Sequence, residues 1–232
     1  MEHEGLEEKT ENPLVEELRE KIFQDYTGTV ICEELRPNPP VRGKYGYAFI
    51  PLKEGATPQR CKPFNMHGER LEAYKKVTQD WWDHGFIERP TKGGCEWLSQ
   101  GFVVPKKSDT FPWRGVVDQR GTNSQTRKCN YPLPCIEDIC VKQGANQMFS
   151  ILDLKQAFHQ QPMHPESRHL TCTYTPFGIF QWKVNVMGLM NASVQFQQMM
   201  DDRLEPVREM ADPYIDDIVV GTRVEGGSEE VF

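Results

Sequence analysis

The sequence predicts an α+β fold, and three observations carry that prediction. Two short apolar runs, residues 102–104 and 113–117, flank a polar turn holding Ser108, Asp109 and Thr110, the pattern of a β-hairpin. Two longer segments, residues 68–84 and 192–204, place apolar side chains at helical spacing. Strands and helices then follow one another without βαβ regularity, which sets the class.

Taken in order, residues 1–12 read as a charged tail. Leu14, Val15, Leu18, Ile22 and Phe23 recur at helical spacing and predict a short amphipathic helix, and Pro37, Pro39 and Pro40 end any regular element there. Residues 47–52 read as a short strand. The helix over 68–84 starts near Asn65 or His67, buries Leu71, Tyr74, Thr78, Trp81 and Trp82, and stops at Gly85. Beyond the hairpin, Pro132-Leu133-Pro134 opens a short helix over 136–141. Met148–Asp153 reads as a buried strand ending on an acid. Residues 170–175 and 179–186 read as two strands joined at Pro176-Phe177-Gly178. The helix over 192–204 turns Phe196, Met199, Met200 and Leu204 inward. Residues 214–221 give a strand, an acidic turn and a second strand.

The chain has 232 residues, 38% hydrophobic and 26% charged, a composition that excludes wholesale disorder and collagen-like or disulfide-framework classes. Its formal net charge is −7. Residues 1–36 hold 11 acidic and 4 basic side chains, so the acidity belongs to this stretch and the rest is neutral. Residues 102–130 are the one basic zone, with Lys106, Lys107, Arg114, Arg120, Arg127 and Lys128 against Asp109 and Asp118. A solvated surface explains such a zone, and so does a phosphate-binding one. Seven cysteines without a CxxC pair, no apolar run long enough to span a membrane, and an acidic first nine residues predict a reducing, intracellular location. His159, His164 and His169 recur every five residues, a spacing that shares neither a helix face nor a strand face.

Three acids stand apart because each sits inside an apolar run. Ile151, Leu152 and Leu154 flank Asp153; Tyr214, Ile215, Ile218, Val219 and Val220 flank Asp216-Asp217. Carboxylates in such surroundings need a compensating cation or hydrogen bonds. Two strands presenting Asp153 and Asp216 side by side suit a pair of Mg²⁺ ions and in-line phosphoryl or nucleotidyl transfer. By this physics alone the site equally suits a two-metal nuclease.

The residues also resemble a family. Tyr214-Ile215-Asp216-Asp217 resembles the YxDD box of reverse transcriptases, and Ile151-Leu152-Asp153-Leu154 with Phe158-His159-Gln160 resembles the box carrying their first catalytic acid. Trp113-Arg114, Val117-Asp118, Arg120, Asn123 and Tyr131-Pro132-Leu133-Pro134 are similar to the segment between. Gly188-Leu189-Met190-Asn191-Ala192 with Phe196-Gln197 is similar to the box that follows. Their order and spacing resemble polymerases of gypsy-type LTR retrotransposons, over roughly residues 14–222.

The resemblance implies right-hand polymerase fingers and palm, copying an RNA or DNA template from a DNA primer with dNTPs. It implies that Asp153, Asp216 and Asp217 are the catalytic, metal-binding acids, with Mg²⁺ or Mn²⁺ as cofactor. Lys106, Arg114, Phe158 and Met187 would meet the dNTP, Phe158 as the steric gate against a ribose 2′-hydroxyl; Tyr214 and Arg120 would meet primer and template. Residues 1–55 would be an acidic leader and linker, and 56–232 the polymerase body, with core motifs over 102–221. The chain stops shortly after Asp217, so the expectation is a polyprotein fragment, truncated before the thumb, from an element that elsewhere carries RNase H and integrase. Cytoplasm, nucleus or a retroelement particle is the expected location, with no membrane partner. Four departures stand out: Val186-Met187-Gly188, Ser193, Gln119 with Thr122, and Leu170-Thr171-Cys172-Thr173. They motivate a second reading, a catalytically inactive nucleic-acid-binding remnant.

Overall fold

The computed structural model describes residues 43–91, 95–108 and 110–222, with the isolated positions Lys21, Pro39 and Val41. The predicted tail and, apart from Lys21, the predicted helix within residues 1–23 lie outside the described residues, as do Arg42 and Asp109. All but Lys21 of the described residues fall in one compact unit, Arg36–Phe232. Among them no helix is long and apolar enough to cross a membrane.

Helix α1 (Gly68–Asp83) buries Ala73, Tyr74, Val77, Thr78 and Trp81. Leu71 is only half-buried and Trp82 is 46% exposed, so both depart from the predicted stripe. Neighbours on a helix point about 100° apart, so Trp81 packs into the core against Trp182 at 4.7 Å between ring centroids while Trp82 reaches Phe180 edge-on at 5.5 Å and keeps much of its ring in solvent. The stripe packs on two strands, β2 (Ser99–Pro105) and β3 (Trp113–Asp118), which pair antiparallel from Gln100↔Asp118 to Pro105↔Trp113 as the predicted hairpin. A side chain at Gly115 would collide with Trp81 and Val77, so glycine lets the helix seat directly on β3.

Strands β1 (Ile87–Glu88), β5 (Thr173–Thr175) and β6 (Gly178–Trp182) complete a five-stranded sheet of order β1-β6-β5-β2-β3. Only β2 and β5 run parallel. Both later strands are shorter than the sequence predicts. His169–Thr171 forms a 3-10 turn, and beyond Trp182 the chain leaves the sheet, with Pro162 and Val184 meeting only as an isolated bridge. Residues 47–52 likewise form bridges at Ala48 and Leu52 rather than a strand. Ala48 and Ile50 are nonetheless buried with Trp97, Met163 and Leu170.

The second sheet has three strands in the order β4-β8-β7: β4 (Met148–Asp153), β7 (Ala211–Tyr214) and β8 (Asp217–Thr222), all antiparallel. Helix α5 (Ala192–Leu204) covers β7 and β8, burying Phe196, Met199 and Met200 against Ala211 and Ile218. Each such large apolar side chain stabilises the fold by about 1.5–3 kcal/mol. The short helices α2 (Arg120–Gln125), α3 (Ile136–Gln143) and α4 (Pro165–Arg168) link the sheets. Asp212 of β7, itself buried, holds α3 by accepting from Lys142 Nζ and Gln143 Nε2, each at 2.6 Å.

Strand β4 overturns one expectation. All six residues are exposed, Ile151 by 72% and Leu152 by 52%. An apolar run was read as burial, but β4 is the outermost strand of its sheet and α5 packs on the other two. Among the described residues nothing covers it.

Candidate active site

Asp153 and Asp217 are direct partners in the β4–β8 ladder, at the end of the sheet where β7 turns into β8. Asp216 sits in that turn, and its carbonyl accepts the Leu154 N–H at 3.0 Å, tying the turn to the residue after Asp153. Asp153 and Asp217 are exposed and Asp216 is half-buried. The acids are therefore not desolvated as their apolar flanks suggested. Among the described residues none of the three carboxylates has a hydrogen bond or an ion pair.

The turn is strained and buttressed. Ile215 has φ 56°, a left-handed conformation that a β-branched residue rarely takes. Gln197, fully buried on α5, compensates. Its Oε1 accepts the Ile215 N–H at 2.6 Å, and its Nε2 donates to the Pro213 carbonyl at 3.0 Å. Tyr214, half-buried, pairs with Asp217 in the β7–β8 register.

Three residues beyond Asp153 the chain enters the wall of a cavity of about 610 Å³, to which it contributes Gln156, Phe158 and His159; β3 and the hairpin contribute Lys106 and Arg114, and Met187 also lines it. The four residues expected to meet a nucleotide thus share one space. Helix α1 adds Lys76 and Asp80, which were not anticipated. Arg120 stands elsewhere. It makes a two-pronged contact with Asp118, Nε to Oδ1 at 2.8 Å and Nη2 to Oδ2 at 2.6 Å, and it lines a separate cleft with Arg60. The guanidinium holds the Asp118 carboxyl below the usual range.

A profile of the family "Reverse transcriptase (RNA-dependent DNA polymerase)" matches residues 104–230, which spans β3, Lys106, Arg114, Phe158 and Met187 of the cavity wall, and all three acids. The chain belongs to the reverse transcriptase family. Related proteins include the "Putative enzymatic polyprotein" of Cassava vein mosaic virus, 28% identical over 225 residues, 95% of this chain and 33% of that protein. The "Enzymatic polyprotein" of Figwort mosaic virus (strain DxS) is 30% identical over 193 residues, 82% of this chain and 28% of that protein. The "Retrovirus-related Pol polyprotein from transposon 297" of Drosophila melanogaster is 36% identical over 126 residues, 53% of this chain and 12% of that protein. The chain spans a third or less of the length of these relatives.

Reverse transcriptases as a family use divalent metal ions, and the donors here fit one. Among the described residues no three His, Cys, Asp or Glu side chains stand close enough together to hold a metal ion between them. Mg²⁺ does not ask for three: it keeps waters and substrate phosphates and takes one or two carboxylates from the protein. Asp153 together with a carboxylate of the facing Asp216-Asp217 turn, none of them engaged in a hydrogen bond or ion pair among the described residues, is such a set.

Sequence reasoning assigned no role to Gln197 of this reverse transcriptase domain, although the Phe196-Gln197 pair was in view. The signal was an amide on the inner face of an otherwise apolar helix. It likewise missed Gln156, whose backbone is left-handed with φ 49° and ψ 44° and for which no glycine or asparagine gave notice.

Proposed function

We propose that this chain carries the nucleotidyl-transfer centre of an RNA-directed DNA polymerase, extending a DNA primer on an RNA or DNA template. The observation that carries the reading is the Asp153–Asp217 ladder pair, with Asp216 in the adjoining turn, and a cavity whose wall the chain enters three residues beyond Asp153, with Lys106, Arg114 and Phe158 on it. In this reading Asp153 and Asp216 hold Mg²⁺ (or Mn²⁺), with Asp217 assisting. When bound, the metal lowers the pKa of an attacking hydroxyl and neutralises charge on a leaving phosphate.

The remaining work falls to the chain's own side chains. Lys106 and Arg114 offset the triphosphate's negative charge and orient it. The Phe158 ring stands where a ribose 2′-hydroxyl would otherwise fit, so the substrate is a dNTP. Met187 completes the wall. Tyr214 lies next to Asp217 and positions the primer end, while Arg120, braced by Asp118, faces the template. The five-stranded sheet then corresponds to fingers and the three-stranded sheet to palm. The Pol polyproteins of Drosophila transposons among the relatives support placing the chain in a gypsy-type element, where RNase H and integrase accompany the polymerase in the cytoplasm or nucleus.

Primed poly(rA) extended with dTTP and Mg²⁺ tests the proposal. Extension lost in Asp216→Asn supports it; extension equal in both, or absent from both, sinks it. The altered segment Val186-Met187-Gly188 at the cavity favours the second reading, a non-catalytic remnant. That reading predicts salt-sensitive, Mg²⁺-independent nucleic-acid binding without incorporation.

A further inference from the structure

The turn after Asp153 is held by a device that the acids and cations do not require. Gln156 is left-handed, a conformation that side-chain-bearing residues rarely adopt. His159 stabilises it twice. The His159 backbone N–H donates to the Gln156 carbonyl at 2.9 Å, and its ring Nδ1 lies 3.0 Å from Gln156 Oε1.

The His159 ring is itself fixed by aromatic neighbours. Its centroid is 4.6 Å from that of Phe86 and 5.6 Å from that of Trp182, nearly parallel to the latter. Burial, with the charge of His84 nearby, pushes His159 down to about 4, so the ring is neutral at pH 7 and donates from Nδ1 to the amide oxygen. Phe158 lies between the two clamped residues, with its ring 5.4 Å from that of Phe196. Gln156, Phe158 and His159 all line the cavity. A torsion change at Gln156 therefore swings the Phe158 ring, two residues on, within the cavity wall.

We infer that His159 is a positioning residue for sugar selection: by pinning Gln156 in its left-handed conformation, it fixes where the Phe158 ring stands and so how strictly the cavity excludes a ribose 2′-hydroxyl. The inference rests on reading this cavity as the nucleotide site. It goes beyond that reading by naming what keeps the selecting ring in place.

The test compares dUTP with UTP, which differ at the sugar alone, on the full chain with Mg²⁺. Tryptophan emission reports binding, since Trp81 and Trp113 line the cavity; single-nucleotide incorporation is the second readout. His159→Phe keeps a ring against Phe86 and Trp182 but removes Nδ1. It should reduce the preference for dUTP roughly tenfold, the scale of a left-handed residue's steric cost. Gln156→Gly added to it should restore the preference, because glycine takes that backbone without penalty. General structural damage would weaken both nucleotides alike and leave the ratio unchanged. Should His159→Phe not fold, Gln156→Met removes only the exposed amide and should give the same loss.

An unchanged ratio in the folded variant, or no restoration by glycine, overturns the inference while leaving the polymerase reading intact. A wild-type chain that binds neither nucleotide overturns both.

Discussion

Gln197→Met keeps the length of a buried side chain and deletes its polar atoms, which isolates what the amide does for the YxDD turn. Three groups lose the amide: the Ile215 N–H, now satisfied at 2.6 Å, the Pro213 carbonyl, satisfied at 3.0 Å, and Asp201 Oδ1, which at 3.1 Å shares the same donor but keeps Arg208 and so is not orphaned. A donor or acceptor left buried and unpaired costs about 1–3 kcal/mol. Pro213 is buried and Ile215 half-buried, so the two together come to about 3 kcal/mol. Ile215 adds to this because its left-handed backbone, costing about 1–2 kcal/mol, is no longer held. Relaxing that torsion recovers part of the loss but moves Asp216 away from Asp153. The expected net effect is about 3 kcal/mol, seen as a fall in the urea midpoint at unchanged slope, or about 6–12 °C in Tm. A loss below about 1 kcal/mol for Gln197→Met would refute the clamp.

Three further predictions follow from the same structure. Asp212→Ala should cost about 2–3 kcal/mol in a thermal melt, because the buried Gln143 amide loses its acceptor while Lys142, 42% exposed, partly returns to water. His159 refuses a proton in the folded state down to about 4, whereas the unfolded chain takes one near 6.5, so stability should be unaffected above 6.5 and fall as pH drops through that interval. The loss reaches at most about 3 kcal/mol, and the urea midpoint of His159→Phe should stay flat over the same range. Ile151→Lys changes a side chain that is 72% exposed, so Tm should move by less than about 0.5 kcal/mol equivalent while light scattering shows less self-association.

Much of this was legible in advance where a single local rule dominated. The helix over 192–204 declared itself through Phe196, Met199 and Met200, and Gly85 marked the end of α1. The hairpin followed from apolar runs flanking Ser108 and Thr110. The three acids and the order of the motifs around them led to the family, which the profile match shows. What failed to show is what depends on remote partners. Nothing local says that Met148–Asp153 is an outermost strand, because its apolar pattern is that of a covered one. Trp82 resembles Trp81 in the sequence, yet only Trp81 is buried, because it packs against Trp182 in the core while Trp82 meets Phe180 by an edge and keeps much of its ring in solvent. Gln197, Gln156 and His159 matter through torsions at Ile215 and Gln156, and left-handed backbone at residues other than glycine leaves no mark in composition.

The β4–β8 ladder has a consequence for how such a site comes into being. Asp153 and Asp217 lie far apart along the chain, and neither the hairpin nor α5 brings them together. Their meeting waits for β8 to be made, to turn back on β7 and to find β4, a long-range closure that ranks among the slow steps of folding. Until then the two carboxylates are ordinary solvated acids on separate strands. A chain in which β8 has not yet paired with β4 therefore has the cations of its hairpin but no paired acids.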